Sequence, residues 1–212
     1  MIKAVLWDND GILVDTETLF FKITRSAFIR LGLDLTEEIW GTQHLSEGKG
    51  SREIAISLGG DPDRIAPVID KRNLMYNQIL GQSPPIRPLV RETLTALFGQ
   101  VKMAIVTGSR REQLHTMHNS NGLLKFFDKI ITGDDYIHYK PHPEPYLTAM
   151  KALDVNAKHC IAIEDSPRGL ASARSAGITC IIVPNELTRM LEFTGALSIE
   201  QDVSGTLKYI QD

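Results

Sequence analysis

Five short, largely apolar runs, at 4–7, 102–106, 129–132, 160–163 and 179–183, are separated by stretches with helical spacing. A run without in-and-out alternation has no polar face. It reads as a strand buried on both sides, the pattern of a parallel sheet sandwiched between helices. The intervening stretches fit. Residues 110–120 carry Leu114 and Met117, with Ser109 and Glu112 spaced as a capping pair. Residues 143–153 place Tyr146, Leu147, Met150 and Leu153 at helical intervals. Residues 167–176 open on proline and end before Gly177, as helices prefer. Strand alternating with helix predicts an α/β fold with a Rossmann-like parallel sheet.

One region breaks the rhythm. Residues 16–85 contain no convincing strand. Phe20, Ile23, Ala27 and Leu31 mark one amphipathic helix, and Ile54, Ala55 and Leu58 a second. A third, one helix or two, carries Ile65, Val68, Ile69, Met75, Tyr76 and Ile79. The proline-rich stretch 83–88 reads as a rigid connector. The expected organisation is therefore a catalytic core from residues 1–15 and 86–212, with an all-helical cap, residues 16–85, inserted after the first strand. A chain of 212 residues has room for both.

Composition narrows the partners. A net charge of −3 and a pI near 6.1 argue against a strongly basic nucleic-acid-binding face as the main feature, though not against a local patch. No stretch reaches the roughly 18 apolar residues of a membrane span. The N-terminus lacks a secretory pattern, and Cys160 and Cys180 sit in apolar runs as reduced core thiols would. The expectation is a cytoplasmic protein, a monomer or weak dimer, acting on a small molecule.

In open α/β sheets ligands bind beyond the carboxyl ends of the strands. Asp8-Asn9-Asp10-Gly11 follows the first run, and Thr107-Gly108-Ser109 the second. Lys140-Pro141 comes after the third, and Glu164-Asp165-Ser166 after the fourth. Each has a bland reading. Asp-x-Asp also makes turns, Ser109 also caps a helix, and a loop lysine is usually solvated. Taken together they have one economical explanation. Asp8 would attack a phosphoryl group and Asp10 would move the proton. Mg2+ would sit between the acids and the phosphate, while Thr107, Gly108 and Lys140 would cradle its oxygens.

These motifs resemble those of the haloacid dehalogenase superfamily, in its capped phosphatase/β-phosphoglucomutase branch. The match includes Asp8-x-Asp10-Gly11, Asp15-Thr16-Glu17, Thr107-Gly108-Ser109, Lys140-Pro141, Glu164-Asp165-Ser166-Pro167-x-Gly169 and Val183-Pro184-Asn185. The resemblance implies that Asp8 is the nucleophile and Asp10 the acid/base. It implies Mg2+ on Asp8, the Asp10 carbonyl and Asp165, with Glu164 nearby. The second aspartate favours phosphate over halide chemistry. By the same resemblance Thr16, Arg52 and Arg72 belong to the substrate side, Arg52 and Arg72 as cap residues gripping its far end. The mutases carry a histidine where this chain has Phe20, which tilts the expectation from mutase to phosphatase. The expected reaction is hydrolysis of a small phosphomonoester, a sugar or polyol phosphate, with a β-phosphoglucomutase-like isomerase as the alternative. A phospho-receiver domain and a dinucleotide-binding module are disfavoured, the first by the helical insertion and Asp10, the second by the lack of a Gly-x-Gly-x-x-Gly turn. His115 and His118 read as a solvated helix face.

Overall fold

The computed structural model describes residues 1–82 and 84–211. Ser83 of the expected connector and the last residue of the expected core segment lie outside them. Among the described residues all strands run parallel, in the order β3-β2-β1-β4-β5-β6. They are β1 (Ala4–Trp7), β2 (Lys102–Val106), β3 (Lys129–Ile131), β4 (Cys160–Glu164), β5 (Thr179–Ile182) and β6 (Ser198–Ile199). The apolar runs have the burial expected of two covered faces. Ala4 and Leu6 pack into one core with Ala104, Val106, Tyr146 and Leu170. Val5 and Trp7, pointing the other way, join Met103, Ile105, Leu94 and Ile163. The two-residue β6 carries no apolar run, so period and hydrophobicity did not announce it.

Between β1 and β2 lie α1 (Glu17–Arg30), a short α2 (Glu37–Ile39), a π-helical segment (Trp40–Ser46), α3 (Ser51–Ser57), α4 (Pro62–Leu80) and α5 (Val90–Leu97). The segment from α1 to α4 has its own apolar centre: Phe21, Phe28, Leu35, Trp40, Leu45, Ile54 and Ile65. This is an all-helical cap on a Rossmann-like sheet. A smaller cluster of Val14, Ile23, Tyr76, Leu80 and Met117 joins cap to core. The third cap helix is one element, with Pro67 inside it.

The remaining α-helices among the described residues are α6 (Arg111–His118), α7 (Glu144–Leu153) and α8 (Pro167–Ser175). The capping pair expected at Ser109 and Glu112 is displaced by one residue. Arg110 is the cap position, and its backbone N–H donates to Gln113 Oε1 at 3.1 Å. The Ser109 hydroxyl donates to Asp10 instead. The chain passes from β1 to β2 on one side and returns to β4 on the other. The carboxyl end of β1 therefore faces the crevice where strand order reverses.

Candidate active site

The site begins where β1 ends. Asp8 continues the sheet by donating its backbone N–H to the Ile163 carbonyl, so its carboxylate leaves from a rigid base. Lys140 reaches the same place from the loop after β3. Its Nζ donates to Asp8 Oδ1 at 2.8 Å, to Glu164 Oε1 at 2.7 Å and to the Val106 carbonyl at 2.8 Å. Three acceptors saturate the ammonium. Tyr146 also donates to Glu164 Oε1, at 2.6 Å. Asn185, just past β5, donates to Asp165 Oδ2 at 2.6 Å. Neither tyrosine nor asparagine stood out as a functional position in the sequence, although Val183-Pro184-Asn185 was part of the motif match.

Two glycines make room for these carboxylates. A Cβ on Gly11 would lie 2.0 Å from Asp165 Oδ2, and its φ of +83° is a left-handed conformation. A Cβ on Gly169 would lie 1.9 Å from Glu164 Oε2. Arg87 adds a brace, donating to the carbonyls of Gly11 and Pro184.

Asp10 stands apart from that ion cluster. Three hydroxyls donate to it: Thr16 to Oδ1 at 2.6 Å, Thr107 to Oδ2 at 2.9 Å and Ser109 to Oδ2 at 3.0 Å. Thr107 and Thr16 are fully buried. Here the Thr107 hydroxyl is committed to Asp10 and accepts the Ser109 N–H, while Gly108 remains exposed on the cavity wall.

Asn9, between the two aspartates, is also fixed. His118 Nε2 bonds Asn9 Oδ1 at 2.7 Å, and Asn121 donates to His118 Nδ1 at 3.0 Å. An imidazole that donates at Nε2 and accepts at Nδ1 is neutral, and burial lowers the His118 pKa accordingly. His118 is thus buried and structural, not part of a solvated face. The signal was present: with Leu114 and Met117 it completes the apolar stripe of α6.

Cap and core line a partly open cavity of about 530 Å³. Asp8, Asp10, Lys140, Glu164 and Asp165 form part of its wall, and Glu17, Phe20, His44, Tyr76 and Arg168 line it as well. Glu17 is buried and accepts from Trp40 Nε1 at 3.0 Å, and burial raises its pKa. The His44 ring lies 4.0 Å from that of Trp40 and 6.0 Å from Phe20. Its Nδ1 donates to the Lys49 carbonyl at 2.8 Å, which leaves Nε2 as an acceptor. Burial, reinforced by Arg168, lowers the His44 pKa to about 3.

The two cap arginines do not join this wall. Arg52 is exposed on α3. Arg72 is 5% exposed and points into the cap, donating to Thr24 Oγ1 at 2.9 Å and Ser51 Oγ at 3.1 Å. Its guanidinium lies 4.4 Å from the Phe20 ring centroid. The reason is positional. Ile65, Val68, Arg72, Tyr76 and Ile79 share one helical stripe, and that stripe faces inward. Arg168, which sequence reasoning passed over, lines the cavity with no ion pair among the described residues.

The acids fit a metal. Asp8, Glu164 and Asp165 each offer an oxygen within 4.8 Å of the others, all three buried. One ammonium faces three carboxylates. Burial, only partly offset by Lys140, pushes Asp8 up to about 7, and burial raises Asp165 strongly. Glu164 Oε2 is buried without a hydrogen-bond partner. A divalent cation would answer each of these deficits, and an all-oxygen donor set suits a hard ion.

Comparison with known proteins agrees with this geometry. The family model for haloacid dehalogenase-like hydrolases matches residues 5–183. The chain is 31% identical to protein CbbY of Cereibacter sphaeroides, covering 92% of this chain and 90% of the relative. It is 29% identical to a phosphorylated carbohydrates phosphatase of Thermotoga maritima, covering 84% and 82%. A crystal structure of CbbY from Rhodobacter sphaeroides in complex with phosphate superposes with a TM-score of 0.78 at 27% identity, over 97% of this chain and 96% of that one. With a capped parallel sheet and a matching family model over most of its length, the chain belongs to the haloacid dehalogenase-like hydrolases, in their capped phosphatase branch, and by class is a phosphoric monoester hydrolase.

Proposed function

We propose that this chain is a Mg2+-dependent phosphatase that hydrolyses a small sugar or polyol phosphate through an aspartyl-phosphate on Asp8. The observation that carries the reading is the convergence of Lys140, Asp8, Glu164 and Asp165 at one end of β1, with Asp10 held separately a hydrogen bond from Thr107. Mg2+ held by Asp8, Glu164 and Asp165 would supply positive charge against the phosphoryl oxygens.

The chain's own groups divide the work. Lys140 keeps the Asp8 carboxylate oriented and offsets charge as the phosphoryl group shifts onto it. The Asp8 oxygen forms a bond to phosphorus as the ester P–O bond breaks. Asp10 gives its proton to the leaving alkoxide. Water then attacks phosphorus, losing a proton to Asp10, and the acyl-phosphate bond breaks to release inorganic phosphate and regenerate Asp8. The hydroxyls of Thr16, Thr107 and Ser109 position Asp10 between these two transfers.

The substrate side supports a polyhydroxylated molecule. His44 offers a bare Nε2 acceptor on the cavity wall, and Arg168 offers a cation to an electronegative substituent. The relative from Thermotoga maritima named for phosphorylated carbohydrates supports the same class. Phe20, and the placement of Arg52 and Arg72 outside the cavity wall, favour hydrolysis over the mutase alternative. A phosphate-release screen over sugar and polyol phosphates, run with Mg2+ and with EDTA, tests the reading. Mg2+-dependent release that Asp8→Asn abolishes is expected. Release unchanged in that variant, or glucose 6-phosphate formed from β-glucose 1-phosphate in place of phosphate, would overturn it.

A further inference from the structure

A second group of side chains has metal-ligand proximity. His138, His142 and Glu144 each present one ligand atom within 4.8 Å of the other two. They lie on the exposed side of the loop whose middle residues are Lys140 and Pro141. Glu144 Oε1 accepts the Ile137 N–H at 3.0 Å, and Oε2 accepts the His138 N–H at 2.9 Å. His138 Nδ1 lies 2.6 Å from Oε2 and His142 Nδ1 3.9 Å from it. The two imidazoles stack with centroids 4.6 Å apart at 34°. The carboxylate is thus fixed by two main-chain donors and the His138 ring, while the Glu144 N–H donates to His142 Nδ1 at 3.2 Å and leaves His142 Nε2 as its free ring nitrogen.

We propose that His138, His142 and Glu144 form a second metal site, selective for a borderline-soft divalent cation of the Zn2+ type and separate from the carboxylate cluster. Two imidazoles and one carboxylate are a common three-ligand zinc set, and solvent exposure leaves a fourth position for water. Mg2+ prefers oxygen ligands and is a poor occupant. The main-chain donors and the His138 ring hold the Glu144 pKa at about 2, so the carboxylate is ready to ligate at neutral pH. The place of the site gives it a consequence. His138 and His142 flank Lys140, whose ammonium bridges Asp8 and Glu164, and the His142 carbonyl is already tied to Ser172 Oγ at 2.6 Å. A cation spanning His138 and His142 staples the loop that delivers Lys140. The cap reaches the same loop: a Cβ on Gly48 would stand 3.2 Å from the Lys140 carbonyl.

The test uses the full chain with excess Mg2+, titrated with Zn2+ against a chromophoric chelator. Wild type is expected to retain one Zn2+ more than His138→Ala/His142→Ala does. In that variant and in Glu144→Gln, affinity at the site is expected to fall sharply. For the double variant the fall should exceed about 100-fold, because even partners one step removed from a metal contribute about 10–100-fold. The far-ultraviolet circular dichroism of both variants should match wild type, since the replaced side chains stand at the surface. Amide exchange across residues 137–144 should slow on Zn2+ addition in wild type only. Three results would overturn the proposal: no retained Zn2+ in wild type, equal retention in the double variant, or loss of the same equivalent on Asp165→Asn.

Discussion

Two clusters of metal-ligand side chains, within reach of one loop, are built on opposite principles. Asp8, Glu164 and Asp165 are buried at strand ends and outnumber the one ammonium among them. Glu144, in the exposed cluster, has two main-chain donors and two imidazoles for company. Burial drives Asp8 up to about 7, while hydrogen bonding drives Glu144 down to about 2. The same functional group is thus costly to ionise without a cation in one place and already ionised in the other. Buried excess charge costs stability until a cation arrives, and that cost is what gives a catalytic site its affinity for metal and phosphate.

The largest effects should come from the buried cluster. Asp8→Asn is expected to reduce phosphate release by roughly 10⁴-fold or more, the scale of removing a covalent nucleophile. Steady-state and single-turnover assays check it, and turnover within tenfold of wild type would break the assignment. Lys140→Ala leaves Asp8 and Glu164 facing each other without their ammonium. A loss of about 3 kcal/mol is expected in denaturant unfolding of the metal-free protein, partly recovered by Mg2+. His118→Ala strands the buried Asn9 amide and should cost about 1–3 kcal/mol, with no change in metal stoichiometry.

The pH dependence sharpens the contrast. Asp8 is raised in the folded state, so the folded metal-free protein holds a proton that the unfolded chain releases near 3.8. Its contribution to stability is therefore lost as pH rises between about 4 and 7. Metal must displace that proton, so Mg2+ affinity should rise with pH up to about 7 and then level off, as titration calorimetry can show. Glu144 has no such window near neutrality. The smallest expected effect is on folding in Glu144→Gln without metal: a melting temperature close to that of wild type. A large drop would mean the exposed cluster is structural.

The first-order features of the site were readable because each lay at the end of an apolar run. Asp8 and Asp10 close the first strand, Thr107 the second and Glu164 the fourth, and a charged or hydroxyl residue there has few bland uses. Arg72 and His118 were misplaced for a common reason. Each is a polar residue on an otherwise apolar stripe, where side-chain type points to solvent or ligand but the stripe itself decides the direction. Local spacing suits Ser109 to a helix cap, whereas its hydroxyl bonds Asp10, which is 99 residues away in sequence.

The sequence by itself determined the layers of this protein: which runs are strands, where the helical cap interrupts them, and which acids emerge at strand ends. Those follow from local periodicity and from the cost of leaving apolar surface in water. Only the tertiary structure decided the partners. Lys140 meets Asp8 across 132 residues, and His118 meets Asn9 across 109. Hydrogen bonds and charge pairs act over a few ångströms of space whatever the distance along the chain. The sheet order, with β1 between β2 and β4, is what brings those residues to one crevice.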